Sequence, residues 1–231
     1  MSFRSLMSLK SFMSPLTPFI ATSVGRKAVM SVTGLGAIGF LCVHLLGNTF
    51  IFGGPDSFNA YAHALHSIPV LPLLQIALGG MFFVHVLFGA TVTWCNWTAR
   101  PTGYQVGRWR GVRSLLASSM IFTGIFILAF IAFHLWTVRY APSYAGHDLA
   151  GQEIFRRVQV ALTSRIGVSV YLIGVLALAF HLTYGLANAF QSLGLRHPSH
   201  DGWIALGGFL LAWGLALSFA TIPILFLLGR L

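Results

Sequence analysis

The stretch AVMSVTGLGAIGFLCVHLLGNTFIF, residues 28–52, contains no Asp, Glu, Lys or Arg. A helix needs about 20 predominantly apolar residues to cross the hydrocarbon core of a bilayer, and this stretch is long enough. Because lipid offers no hydrogen-bonding partner to backbone N–H and C=O groups, a chain segment that lies in it must be helical. Residues 28–52 therefore predict a transmembrane helix that contains one histidine, His44.

Four further stretches have the same character, namely residues 70–94, 114–138, 166–190 and 203–228. The composition agrees, since charged residues make up 8% of the 231 residues and hydrophobic residues 56%. A soluble domain carries about 25% charged residues. No alternation of apolar and polar residues competes as a strand signal. The sequence predicts an all-α integral membrane protein with five transmembrane helices.

Turns rich in Gly and Pro separate the five stretches, as at residues 53–56, and no internal repeat or low-complexity tract is evident. We therefore expect one domain over residues 28–231. Residues 1–27 are interrupted by Pro15 and Pro18 and lack the pattern of a secretory signal peptide. We expect these residues to form a cytoplasmic N-terminal arm.

Lys and Arg residues predict the orientation, since they are enriched in cytoplasmic segments of membrane proteins. With the N-terminus inside, nine fall on the inner side: Arg4, Lys10, Arg26, Lys27, Arg100, Arg108, Arg110, Arg113 and Arg196. Five fall on the outer side: Arg139, Arg156, Arg157, Arg165 and Arg230. This bias predicts a multi-pass membrane protein with a cytoplasmic N-terminus. We expect its location to be the bacterial cytoplasmic membrane. The net charge of +10 does not indicate nucleic acid, because the cations lie between apolar stretches.

Each of the first four predicted helices contains one histidine, and no Asp or Glu lies in any of the five stretches. The four residues are His44, His85, His134 and His181. A single intramembrane histidine commonly serves as a hydrogen-bonding group between helices. Four of them on four helices, with no carboxylate to pair with, indicate a functional site.

Depth sorts the four histidines into two layers. Helices that run outward carry His44, about 24 Å from the inner face, and His134, which is also near the outer side. Helices that run inward carry His85 and His181, each about 22 Å from the outer face. The sequence thus predicts an outer pair, His44 with His134, and an inner pair, His85 with His181, about 15 Å apart.

Two imidazoles fill both axial positions of a haem iron and leave no open position for oxygen chemistry. We therefore predict two bis-histidine b haems in a four-helix bundle of the first four helices. No Cys-x-x-Cys-His motif is present, so the haems are expected to be non-covalent. Gly47, Gly89 and Gly185 share helix faces with the histidines, where a missing side chain would let a macrocycle approach the backbone.

Side chains near the helix ends are candidates for contacts to haem propionates: Arg26, Lys27, Ser31 and Arg113 at the inner level, and Arg139 and Arg165 at the outer level. Polar residues after the first helix are candidates for contacts to a quinone or to the outer haem: Asp56, Asn59, Tyr61, His63 and His66. The same residues fit an ordinary interfacial helix. The inner haem end, with Ser31, Trp109 and Arg113, is a rival quinone site.

The chain resembles the di-haem cytochrome b subunit of succinate dehydrogenase and fumarate reductase, in the cytochrome b558 family. The clearest stretches are VHLLGN, residues 43–48, and GPDSFNAYAH, residues 54–63. Weaker matches lie at residues 82–85, 133–134 and 179–185, so that the resemblance extends from around residue 26 to the end of the chain. It implies that the first and third helices bind a distal haem and that the second and fourth bind a proximal one.

The resemblance also implies partners and a role. A flavoprotein subunit with covalent FAD and an iron–sulfur subunit would dock on the cytoplasmic face, and the whole complex could form a higher oligomer. This chain would anchor them in the lipid and relay electrons from succinate to a quinone, with menaquinone as a candidate, without succinate chemistry of its own. Some relatives carry an intramembrane glutamate near the fourth ligand, whereas residues 177–180 here read ALAF.

Two other functions fit the same histidines. One is a cytochrome b anchor of another quinone-linked dehydrogenase, such as a hydrogenase or a formate dehydrogenase. The other is a haem-free proton-coupled transporter, although transporters commonly show inverted repeats and broken helices, which the sequence does not show.

Overall fold

The computed structural model describes residues 16–99 and 112–231, and of residues 16–18 and 112–118 it describes the backbone alone. Its helices are α1 Leu16–Ala21, α2 Ser23–Asn48, α3 Gly54–His66, α4 Leu71–Thr98, α5 Val112–Leu135, α6 Ile154–Thr163, α7 Arg165–Ser192 and α8 Asp201–Leu227. Five of them, α2, α4, α5, α7 and α8, are long and apolar enough to cross a membrane. The prediction of an all-α membrane protein with five spans is confirmed.

Helix α2 begins at Ser23, inside the stretch expected to be an arm. The Thr22 side chain accepts a hydrogen bond from the Gly25 backbone N–H at 2.9 Å and so caps the helix start. Gly25 is required because a Cβ at this position would overlap the carbonyl oxygen of Phe19. Part of the expected arm is therefore helical, whereas residues 1–15 lie outside the described part of the chain.

The outer end of α2 continues into α3 without a loop. A 3₁₀ turn, Thr49–Gly53, follows α2 directly. Gly54 then adopts a φ of 84°, which favours glycine, and Pro55 lies in the first turn of α3. Residues 54–66 therefore form a helix, as the interpretation of this stretch as an ordinary interfacial helix requires.

The segment between α5 and α7 is an ordered cap over the outer end. It contains a π-helical turn, Trp136–Tyr140, and a short hairpin that pairs Ser143–Tyr144 with His147–Asp148. The sequence showed no strand signal here, because each strand is only two residues long. Helix α6 follows, and its apolar face packs against α3 and α8. The cluster of buried residues that joins them consists of Ile51, Phe58, Phe155, Leu162, Ile222 and Phe226.

Arg157 holds this cap together. Its guanidinium donates to the carbonyl oxygens of Val138, Ala141 and Leu149 at 2.7, 2.8 and 2.5 Å. One carbonyl lies in the π-helical turn, one directly follows it, and one follows the hairpin. The Leu149 carbonyl also accepts from the Gln152 backbone N–H at 3.2 Å, so the cation adds to the backbone hydrogen bonds and joins three parts of the cap.

The spanning helices pack as a four-helix group with a fifth helix outside it. Helix α2 packs against α4 and α7, and α5 packs against α7. Helix α8 packs against α7 and, to a smaller extent, α2. Helix α4 contacts α5 only slightly and has no buried residue of its own. Two opposite helix pairs, α2–α4 and α5–α7, thus face each other, and α8 covers one side.

Candidate functional site

The outer pair of histidines meets near the outer ends of two helices. His44 lies one turn before the end of α2, and His134 lies in the last turn of α5. Their ring centroids are 5.9 Å apart, and the ring planes are nearly perpendicular at 86°. The structure therefore brings together the two histidines that depth assigned to one layer.

The inner pair is formed by His85 of α4 and His181 of α7. Their ring centroids are 6.4 Å apart with an interplanar angle of 70°. Gly34 of α2 lies against the His85 ring, and Gly124 of α5 lies against the His181 ring. Ten helical residues separate each glycine from the outer histidine of its own helix, which places the layers about 15 Å apart.

The hydrogen bonds of His85 fix its tautomer. Its Nδ1 lies 3.0 Å from the Met30 carbonyl oxygen and 3.3 Å from Thr33 Oγ1. The Thr33 hydroxyl itself donates to carbonyls of its own helix, at 2.8 Å to Val29 and 3.0 Å to Met30. Since both neighbours of Nδ1 can then only accept, Nδ1 carries the proton and Nε2 presents a lone pair, as a metal ligand requires.

The hydrogen bonds of His181 repeat this arrangement. Its Nδ1 lies 3.1 Å from Thr123 Oγ1. The Thr123 hydroxyl donates to its own helix, to Ser119 O at 3.0 Å or Met120 O at 3.1 Å. His181 therefore presents Nε2 in the same way as His85.

These matching contacts reveal an internal repeat, so the expectation of no repeat does not hold. On α2 and α5 the equivalent residues are Met30, Thr33, Gly34, Phe40 and His44 against Met120, Thr123, Gly124, Phe130 and His134, in the same register. On α4 and α7 they are His85 and Gly89 against His181 and Gly185. The repeat comprises too few residues to be evident from the sequence. Its constant spacing is nevertheless the sequence signal from which Thr33 and Thr123 could have been identified as neighbours of the histidines.

The outer pair has different neighbours from the inner pair. The His44 ring stacks on Phe40 at a centroid distance of 5.3 Å and lies 5.9 Å from Phe219 of α8. His134 Nδ1 lies 3.0 Å from the hydroxyl of Tyr171, a residue that the sequence analysis did not identify. Its ring also lies 5.9 Å from that of Phe130. The outer pair is thus enclosed mainly by aromatic rings.

Each pair has the geometry and donor chemistry for one haem iron. Imidazole nitrogens on opposite sides of a metal, each at about 2 Å, place their ring centroids about 6 Å apart. In the part of the chain that the structure describes, no group of three or more His, Cys, Asp or Glu residues could hold a metal ion. Two imidazoles alone leave the remaining coordination positions unfilled, and the nitrogens of a porphyrin fill these positions. The residues present fit the predicted group.

The glycines expected to admit a macrocycle have specific neighbours. Gly89 faces the sulfur of Met30, and Gly185 faces the terminal methyl of Met120, at ordinary contact distances. At Gly47, a Cβ would overlap the hydroxyl of Tyr61. The absence of a side chain at Gly47 therefore leaves space for the phenol of Tyr61.

The propionate candidates differ in their surroundings. Arg26 donates to the carbonyl oxygens of Ile20 and Ala21 at 3.2 and 2.7 Å, and to Cys95 Sγ at 3.1 Å, so it ties α1 to α4. Ser31 is buried, with 4% exposure, on the inner half of α2. The exposed candidates are Lys27, Arg139 and Arg165, and the side chain of Arg113 lies outside the described part, as does Trp109. Of the described candidates, Ser31 is the one buried beside the inner layer.

The residues of α3 that are candidates for quinone contacts also differ in their surroundings. Asn59 accepts a hydrogen bond from the Phe155 backbone N–H at 3.0 Å and so caps α6. His63 pairs with Glu153 at 3.1 Å in an exposed position. Asp56 is exposed in the first turn of α3, and the exposed His66 hydrogen-bonds the carbonyl of its own helix. In the part of the chain that the structure describes, none of these four hydrogen-bonds to a histidine of either pair.

Tyr61 is the candidate that the structure brings to the outer layer. Its ring stacks on Phe50 at a centroid distance of 4.6 Å and an interplanar angle of 7°. Its hydroxyl lies over Gly47, one helical turn beyond His44. A phenol hydroxyl at this place is a hydrogen-bonding group at the outer edge of the site.

Comparison with known proteins shows a similarity to a curated protein. Over 162 residues the chain is 30% identical to the succinate dehydrogenase cytochrome b558 subunit of Bacillus subtilis (strain 168), a match that covers 69% of this chain and 75% of that protein. No family model and no solved structure matches the chain.

Proposed function

Because the chain belongs to the family of succinate dehydrogenase cytochrome b558 subunits, we propose that it is the membrane anchor and electron-relay subunit of a succinate:quinone oxidoreductase. In this role two b haems, bound by His44 with His134 and by His85 with His181, connect an iron–sulfur subunit to a quinone. The named relative favours succinate dehydrogenase over the other quinone-linked dehydrogenases that the histidines alone left open.

The observation that supports the proposal is the meeting of the histidine rings in two pairs at two heights. The centroid distances of 5.9 and 6.4 Å suit one metal ion between each pair. Three of the four rings have a hydrogen-bonding partner at Nδ1, which leaves Nε2 to bind. A haem with two imidazole ligands supplies one-electron transfer and has no position for a substrate.

The residues of this chain have three tasks in that role. The four histidines bind iron, the two threonines of the repeat orient the inner rings, and the aromatic side chains around the outer pair exclude water. Ser31 is the best-placed propionate contact at the inner layer because it is buried there. The oxidation of succinate itself belongs to a flavoprotein subunit that carries FAD, docked with the iron–sulfur subunit.

The proposed orientation has the N-terminus in the cytoplasm of a bacterial cell and the outer layer towards the opposite face. The excess of Lys and Arg in the inner segments supports it. Trp94 and Trp97, at the inner end of α4, are exposed, as expected of side chains at a lipid–water interface. The quinone, with menaquinone as the candidate, is placed by this proposal near Tyr61 at the outer layer.

Purification of the chain with its natural partners tests the proposal. We expect a flavoprotein and an iron–sulfur protein to co-purify, and a reduced-minus-oxidised spectrum to show a b-type band. Haem extraction should give two haems per chain. A colourless complex, or soluble partners of another dehydrogenase class, would overturn the proposed function.

A further inference from the structure

Helix α4 is the least packed of the four helices that carry the paired histidines. In lipid, helices associate through close packing and hydrogen bonds rather than through the hydrophobic effect, so packing decides how firmly each helix is held. None of the residues of α4, all of which the structure describes, is buried. Helix α7, its equivalent in the repeat, has buried residues along its length and packs against α2, α5, α6 and α8. Helix α4 packs against α2 and only slightly against α5.

The side-chain contacts of α4 show the same attachment to one neighbour. Phe82 packs edge-on against Phe40 of α2, at a centroid distance of 6.3 Å. At the inner end, Cys95 Sγ accepts a hydrogen bond from the Arg26 guanidinium of α2 at 3.1 Å. The hydrogen-bonding partners of His85 Nδ1 also belong to α2. Helix α4 is therefore attached to the bundle along one side.

The ring of His85 reaches across the bundle to another helix. Its centroid lies 6.4 Å from that of His181 on α7. Within residues 16–99 and 112–231, no other hydrogen bond or ring contact joins α4 to α7, and the two helices do not otherwise pack against each other to any extent. One iron bound by both imidazoles would therefore join two helices that are otherwise separate.

The outer pair lies on helices that are already joined. Helices α2 and α5, which carry His44 and His134, both pack against α7. An outer iron would add a link between helices that packing already holds in place. An inner iron would supply a link that packing does not.

We propose that the inner haem fastens α4 to the rest of the bundle through His85, and that without this haem α4 opens on its α5 side while it stays attached to α2. This inference rests on the proposed function. The α5 side is where α4 has few contacts to break. Binding of the inner haem is thereby coupled to closure of the bundle, as binding of a metal is coupled to folding in small metalloproteins.

Hydrogen–deuterium exchange of the purified full chain, read peptide by peptide with mass spectrometry, tests this inference. His181→Ala removes an inner ligand from α7 and leaves the sequence of α4 unchanged, and His134→Ala, which removes an outer ligand, is the matched control. We expect the amides of residues 71–98 to exchange roughly tenfold faster or more in His181→Ala than in the unchanged chain. In His134→Ala their exchange should be unchanged. The amides of α8 are the internal control for folding.

A rescue experiment separates the link through His85 from the mere filling of space by the haem. In His85→Gly, imidazole added to the solution can bind the iron without being attached to α4. We expect the haem content to return to two per chain while the exchange of α4 stays raised. Val84→Gly keeps the histidine and controls for the flexibility that a glycine adds to a helix.

The inference is overturned if α4 exchanges equally fast in His181→Ala and His134→Ala, or if α4 and α8 lose protection together in His181→Ala. It is also overturned if imidazole restores both the haem and the protection of α4 in His85→Gly. A chain that contains no haem before any substitution would instead overturn the proposed function.

Discussion

At the scale of single residues, the candidate site is controlled by what lies behind each histidine ring. Threonine and carbonyl oxygens hold the inner rings, and a phenol holds one outer ring. Such groups set the tautomer, the ring orientation and the basicity of a ligand. They differ between the layers, so the two haems of the proposed function are expected to differ in potential.

The first prediction concerns His134→Ala. The outer haem should be lost and the inner one retained, because the inner pair lies about 15 Å away with partners of its own. Haem-to-protein stoichiometry should fall from two to one. His147→Ala, at an exposed position in the hairpin, is the control and should keep two haems. Loss of both haems from a folded His134→Ala chain would contradict the two-layer arrangement.

The second prediction compares glycine-to-alanine substitutions at two equivalent positions of the repeat. A Cβ at Gly34 would lie 3.0 Å from Cε1 of His85, whereas a Cβ at Gly124 would lie 3.5 Å from Cε1 of His181. The first distance forces the ring to move, and the second is ordinary contact. Gly34→Ala should therefore weaken inner haem binding by roughly tenfold, and Gly124→Ala should leave it unchanged. Competition with a haem-scavenging apoprotein measures both, and equal retention would count against the inner geometry.

The pairing of the histidines was predictable from the sequence, but their hydrogen-bonding partners were not. Depth follows from counting residues at a fixed rise per residue, and it assigns His44 to one layer and His85 to the other. Whether Thr33 faces His85 depends on how two helices are rotated about their axes. That rotation results from packing, which a single sequence of uniformly apolar helices does not encode in its periodicity.

At the scale of elements, the five spans were predictable because long apolar stretches admit no other structure in lipid. Helix α6 was missed because it is short and carries Arg156 and Arg157 among its apolar residues. Its apolar face is buried only when α3 and α8 are in place. The role of Arg157 likewise depends on carbonyls from three different parts of the cap.

The third prediction concerns this cap. Arg157→Met removes three charge-assisted hydrogen bonds from partly buried carbonyls and should lower the free energy of unfolding by about 2 kcal/mol or more. Arg156→Met is the matched control, since the exposed Arg156 donates only to Gln159 in the described contacts. The apparent melting temperature of the purified protein in detergent should fall by roughly 5 °C for the first variant. Equal melting temperatures would show that the cap does not depend on the cation.

At the scale of the whole molecule, the two histidines of each pair occupy equivalent positions of the internal repeat. His44 and His134 lie at matching positions of α2 and α5, and His85 and His181 at matching positions of α4 and α7. Because alternate spans run in the same direction, the equivalent helices of the two halves are parallel, although α2 packs more extensively against α7 than α5 does against α4. Helix α8 lies outside this arrangement, which agrees with its lack of histidine.

The fourth prediction concerns the orientation of the whole chain. Ser143→Cys and Ser199→Cys place single thiols at exposed positions on opposite sides, in a background with Cys42 and Cys95 replaced by alanine. A membrane-impermeant maleimide should label position 143 in intact cells and position 199 only after lysis. The reverse pattern would mean that the N-terminus lies outside.

The separation of about 15 Å between the two ring pairs gives the proposed relay a dependence on voltage. An electron that moves from the inner pair to the outer pair traverses about half of the hydrocarbon core. With a cell interior that is negative by 100 mV, that displacement releases about 1 kcal/mol. The energised membrane would therefore help to drive electrons outward, and its collapse by an ionophore would slow quinone reduction.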